Sequence, residues 1–147
     1  MKIRIETAEE EEIVIRCPEI TEHIRNLETR IAEALRAEDR MTLYADHGRF
    51  FVEKREILFF ESSGGKVYAH TADAIFTTPH KLFELEDLLP SCFVRISKSA
   101  IANVNRISHL RREAVGNGEL SFFACRKTVW FSRAYYKLLQ HKLEEMR

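Results

Sequence analysis

Residues 93–106, Phe-Val-Arg-Ile-Ser-Lys-Ser-Ala-Ile-Ala-Asn-Val-Asn-Arg, restrict the fold of this chain more than any other stretch. Period-two alternation makes Phe93–Ile96 and Ala100–Asn105 two strands, with Val94, Ile96, Ala102 and Val104 able to face one way. Between them Ser97-Lys98-Ser99 is a short polar break that carries hydrogen-bond donors and one positive charge. Such a break suits a backbone phosphate or a base edge.

A chain of 147 residues is one domain with room for at most a short appendage, and it can bury a sizeable core. The hydrophobic share of 45% and the charged share of 31% are those of an ordinary soluble protein. No apolar run approaches the roughly 18 residues of a membrane span. Met1–Ile5 alternates charged and apolar residues instead of building a signal-peptide core. Cys17, Cys92 and Cys125 are distant from one another and odd in number, which argues against a disulfide framework or a zinc site and fits a reducing cytoplasm.

The net charge of zero hides an asymmetry. Residues 1–40 carry 7 basic and 11 acidic side chains, and residues 41–147 carry 16 and 12. Within 91–137 the basic residues are Arg95, Lys98, Arg106, Arg111, Arg112, Arg126, Lys127, Arg133 and Lys137, against only Glu113 and Glu119. A local excess of this kind is the footprint of a polyanion-binding face. From charge alone a solvated β-surface explains it equally well.

Taken in order, Lys2–Ile5 and Ile13–Ile15 read as two short strands around the acidic break Glu9–Glu12, an N-terminal hairpin. After Pro18, Ile20, Ile24, Leu27, Ile31 and Leu35 form one helical stripe, suited to packing or self-association rather than catalysis. From Met41 the texture changes to short strands and tight turns. Thr42–Ala45 and Phe50–Glu53 flank the hairpin signal Asp46-His47-Gly48. Ile57–Phe60 is apolar throughout, as in a strand covered on both faces. Glu61-Ser62-Ser63-Gly64-Gly65 turns the chain, Lys66–Thr71 returns as a strand, and Ala74–Thr77 follows. Thr78-Pro79 predicts a helix start, with Leu82, Leu85, Leu88 and Leu89 as its apolar face. Ile107–Arg112 and Leu120–Cys125 bracket the turn Gly116-Asn117-Gly118. Thr128–Phe131 is the last strand, and Ser132 is placed to cap a closing helix.

Motifs for catalysis are missing. The six histidines form no HxH or HxxxH pair, no Gly-rich phosphate cradle is present, and no serine stands in G-x-S-x-G. Glu84, Glu86 and Asp87 read as a solvated helix face, and Cys92 as a small buried hydrophobe. No catalytic residue, metal ligand, cofactor or small-molecule substrate is expected. Most aromatics of the strand-like runs belong to a core, with stacking on single-stranded nucleic acid as the other reading.

F-V-R-I-S-K-S-A-I-A-N-V resembles the signature of the LytTR DNA-binding domain. The likeness extends over about residues 41–143 through I-L-F-F-E-S-S at 57–63, Lys66–His70, a short L-x-x-L helix, and V-W-F-S-R at 129–133 followed by a tyrosine. The resemblance implies a mostly β fold of antiparallel sheets with a few short helices. Here the hairpin and helix of residues 1–40 would be an assembly or regulatory extension ahead of a DNA-binding domain at 41–147. It further implies a cytoplasmic bacterial transcription regulator, acting as a homodimer, whose loops enter the major groove of double-stranded DNA at paired short repeats. By position, the DNA-facing residues are Gly65 and Lys66, Ser97, Lys98 and Ser99, and Arg133. Arg95, alternating with apolar neighbours, is either structural or reaches a phosphate. Some relatives carry a basic or imidazole side chain where this chain has Ser97.

Two of these assignments have a physical footing of their own. Arg133 follows Ser132 at a strand-to-helix junction, and a bidentate arginine–guanine contact is the commonest specific pairing in the major groove. Lys98 can meet a phosphate or a base, with the Ser99 hydroxyl beside it. Forty residues are too few for the phosphoreceiver domain that many such regulators carry, so control is expected from expression level, from self-association, or from a partner, such as a membrane protein, docking on the N-terminal hairpin and helix. The rival readings are an RNA-binding module and a β protein-interaction module.

Overall fold

The two halves of the central stretch form an antiparallel pair, and the fold of this computed structural model extends from it on both sides. Residues 1–146 are described. The first helix is α1 (Glu22–Glu38), followed by strands β1 (Arg40–Ala45), β2 (Gly48–Glu53), β3 (Ile57–Ser63), β4 (Lys66–Thr71) and β5 (Ile75–Thr78). Next come α2 (Leu82–Leu88), β6 (Phe93–Ser97), β7 (Ala100–Asn103), β8 (Ile107–Arg112), β9 (Gly118–Phe122), β10 (Thr128–Phe131) and α3 (Tyr136–Glu145). Seven strands make one sheet in the order β2-β1-β5-β4-β3-β7-β6, and three make a second in the order β10-β9-β8. All these pairs are antiparallel.

Two apolar layers hold these sheets. Val94, Ile96, Ala102 and Val104, the alternating residues of the central stretch, are all buried with Leu120, Phe122, Val129, Phe131 and Leu139 from the smaller sheet and α3. On the other side Leu43, Val52, Phe60, Val67 and Ile101 pack with Leu82 and Leu85 of α2. The uninterrupted apolar run of β3 serves both layers. A bulge between Ile57 and Phe59 puts Leu58 and Phe59 in the first layer, while Ile57 and Phe60 belong to the second. Cys92 is half-buried against the first layer and burial pushes its thiol up, in keeping with a small hydrophobe.

Three local expectations are corrected. The N-terminal hairpin does not form: residues 2–5 and 13–15 enter no ladder, and Ile3, Ile5, Ile13 and Val14 are exposed. An isolated two-stranded hairpin is marginal in water, and four consecutive glutamates stand in its turn. The second helix does not start at Thr78-Pro79. Thr78 ends β5 and its hydroxyl accepts from the His80 N–H at 3.3 Å; the helix begins at Leu82, with Glu84 Oε1 accepting from the Lys81 N–H at 3.1 Å. Ser132 caps nothing with its side chain; a single 3-10 turn, Arg133–Tyr135, intervenes before α3.

The chain divides into two compact units, Met1–Leu35 and the remainder from Arg36. In the first, Thr21 starts α1 by accepting from the Ile24 N–H at 3.3 Å, and α1 contains no buried residue. Among the described residues no helix is long and apolar enough to cross a membrane.

Candidate nucleic-acid interface

Three turns named from the sequence are joined by backbone hydrogen bonds. The first joins β3 to β4. Gly64 and Gly65 take φ of +59° and +81°, and Ser63 pairs with Lys66 across them, a two-residue hairpin of the kind that demands left-handed backbone. A Cβ at either glycine would meet nothing within 4 Å, so backbone conformation and not space selects glycine there. Lys66 is exposed.

The second turn, Ser97-Lys98-Ser99, is braced from within. Ser97 Oγ accepts from the Ser99 N–H at 3.1 Å. Arg95 donates from Nε to the Ser97 carbonyl at 2.7 Å and from a terminal nitrogen to the Lys98 carbonyl at 2.6 Å. Its other terminal nitrogen lies 3.5 Å from Glu86 on α2. The guanidinium is therefore engaged on both edges by the protein itself. The Lys98 ammonium and the Ser99 side chain are exposed, whereas Ser97 is half-buried and holds the loop.

The third site is the corner after β10. Ser132 N–H donates to the Ile96 carbonyl at 2.9 Å, tying this corner to β6. Arg133 N–H donates to Asn117 Oδ1 at 2.8 Å, so Asn117 satisfies the first free donor of the 3-10 turn, one that a capping side chain at Ser132 would not reach. Gly116, at φ +97°, lies beneath the Arg133 stem: a Cβ there would sit 2.7 Å from Arg133 Cγ. Arg133 is exposed, and among the described residues its guanidinium has no protein partner. Ser62 N–H closes the series by donating to the Ser99 carbonyl at 2.8 Å, which docks the second turn on the first.

The structure thus gathers Gly65, Lys66, Ser97, Lys98, Ser99 and Arg133 at one end of the sheets and turns Arg95 inward to hold the second loop. Sequence reasoning took Asn117 and Gly116 only as turn residues. Their service to Arg133 depends on a contact across the small sheet, and the only sequence signal for it was the motif Gly116-Asn117-Gly118 itself. The basic count of 91–137 overstates what is available for a ligand. Arg112 stacks over the Tyr136 ring at 4.0 Å, Lys127 donates to the Ala74 carbonyl at 2.8 Å, and Arg111 is 3.8 Å from Glu119. Arg111 and Arg112 are exposed beside these partners, and Lys98, Arg126, Arg133 and Lys137 are exposed as well.

A family model for the LytTr DNA-binding domain matches residues 47–144. The chain belongs to this family. A solved LytTr DNA-binding domain, from a protein of Bacillus cereus described as a methyl-accepting/DNA response regulator, superposes with a TM-score of 0.67 at 26% identity, over 71% of this chain and 96% of that one. Two proteins of Staphylococcus aureus, from strains MSSA476 and COL, are 28% and 27% identical over 131 residues, 89% of this chain and 88% of each relative. Both are described as uncharacterized HTH-type transcriptional regulators. Among the described residues of this LytTr chain, strands separate the three α-helices, so no pair of successive α-helices there forms a helix-turn-helix.

Proposed function

We propose that this chain is a sequence-specific regulator of transcription that binds double-stranded DNA with the three linked turns in the major groove, at paired short repeats. The observation that carries the reading is the hydrogen-bonded series Ser62–Ser99, Ile96–Ser132 and Asn117–Arg133, which places three exposed cations, Lys66, Lys98 and Arg133, on one rigid end. Lys66 and Lys98 are point charges suited to phosphates, which set register without reading sequence. Arg133 has the planar fork that matches guanine O6 and N7. Arg95 positions Lys98 and Ser99 by fixing the carbonyls of their turn. This is a role in binding and regulation, with no reaction assigned to the chain.

Selection of bound fragments from random duplex DNA tests it. The expected result is an enriched short motif occurring twice at fixed spacing, with single-stranded RNA competing poorly. Equal retention of all duplex sequences, or stronger binding of single-stranded RNA, would overturn it.

A further inference from the structure

We propose that α1 is the surface that holds a second copy of this chain, in a parallel two-stranded arrangement. The proposal deepens the paired-repeat reading above, but its test uses no DNA.

Helix α1 has 17 residues, none of them buried. Helices in proteins draw most of their stability from packing of an apolar face, and Ile24, Leu27 and Ile31 are only half-buried in the single chain, so the stripe calls for a partner. Ile24, Leu27, Ile31 and Ala34 follow one another at spacings of three, four and three, the a and d positions of a heptad. Ile20 stands one step earlier in the same register. A β-branched residue at a with leucine at d favours two parallel strands. Such a seam is self-complementary, because each a meets a and each d meets d of an identical helix, which favours a second copy over an unrelated protein.

The flanks point the same way. His23 and Arg30 occupy g, and Glu28 and Leu35 occupy e. In a parallel pair each g faces the e of the following heptad in the other copy. His23 then faces Glu28 of the second copy, and the methylenes of Arg30 cover its Leu35, which is 46% exposed in the single chain. An antiparallel pair centred on Leu27 would instead bring Glu28 against Glu28 of the second copy. The seam spans fewer than the three to four heptads of a self-sufficient coiled coil. The pair is therefore weak in free solution, and is enforced when two copies share one DNA at an effective concentration on the order of millimolar.

The experiment uses the full chain without DNA. Sedimentation equilibrium should show a dimer fraction that rises with concentration and is abolished by Leu27→Glu. The thermal unfolding of the β unit should not change in that variant, since Leu27 belongs to the other compact unit. Orientation is read by cross-linking in a background of Cys17→Ser, Cys92→Ala and Cys125→Ala. Under mild oxidation Ile24→Cys and Ile31→Cys should each form a covalent homodimer, while Thr29→Cys, on the far face, should not. A monomer at every concentration, or a dimer that survives Leu27→Glu, would overturn the proposal. So would cross-linking only in a mixture of the Ile24→Cys and Ile31→Cys chains, the antiparallel result. Loss of DNA binding elsewhere in the molecule would leave all these readings unchanged, so the two proposals fail separately.

Discussion

Arg95 and Arg133 show how one residue type takes two roles at one end of the molecule. The Arg95 guanidinium binds two carbonyls of its own turn and faces Glu86; the Arg133 guanidinium faces solvent. The sequence leaves Arg95 between a structural and a phosphate-binding role, because alternation places it beside Val94 and Ile96 without saying which groups surround its tip. Arg95→Ala is expected to release residues 97–99 and to weaken binding to every duplex alike, by about 1–3 kcal/mol for the lost charge-assisted bonds. Hydrogen exchange at the Ser99 amide measures the release, and an unchanged rate would contradict it. Arg95→Lys should rescue little, since one ammonium cannot span both carbonyls. Gly116→Ala meets both the φ of +97° and the Arg133 stem, so it should cost about 1–3 kcal/mol of stability and displace Arg133. A melting temperature equal to that of the parent would remove the claim that these two residues are packed together.

The strands were legible because alternation and turn glycines are local. Ile107–Arg112 and Thr128–Phe131 have the bounds that their patterns predict, whereas the turn expected over residues 61–65 narrows to Gly64-Gly65 because β3 runs on through Ser63 to pair with Lys66. Element ends were less legible, because partners of terminal N–H groups come from afar: the Ser132 side chain caps nothing, and Asn117, sixteen residues away, accepts from the Arg133 N–H. The N-terminal strands failed for a related reason. Their pattern is sound, but a strand needs a ladder partner, and among the described residues neither segment has one. The closing helix α3 offers a test at this scale. Arg112 packs on Tyr136, so Arg112→Ala should lower the melting temperature through a lost cation–π contact of about 0.5–2 kcal/mol and leave the salt dependence of DNA binding intact. A slope reduced by about one would instead assign Arg112 to a phosphate.

For the whole molecule, two dependences follow from charge. His70 stacks on Phe59 with ring centroids 4.3 Å apart, and burial, assisted by Lys127, lowers its pKa from 6.5 to about 4. The folded protein thus binds this proton later than the unfolded chain does. The His70 contribution to stability is complete above about pH 6.5 and is lost as pH falls toward about 4. Urea unfolding across that window should show the loss, and His70→Phe should flatten it; an equally steep profile in the variant would place the effect elsewhere. Affinity for duplex DNA should fall with salt between roughly 50 and 200 mM, with log affinity linear in log salt. The central claim is that the three turns read DNA as one surface, with Arg133 as the base-reading group. Its most direct test is base preference at every position of the selected site for the parent, Lys98→Ala, Arg133→Ala and Arg133→Lys, with melting temperature recorded on the same samples. Lys98→Ala should weaken all sequences uniformly. Arg133→Ala should cost about 1–3 kcal/mol on the selected site and relax preference at one base pair, and Arg133→Lys should regain affinity without regaining that preference, all at an unchanged melting temperature. Preference unchanged at every position in both Arg133 variants would contradict the account.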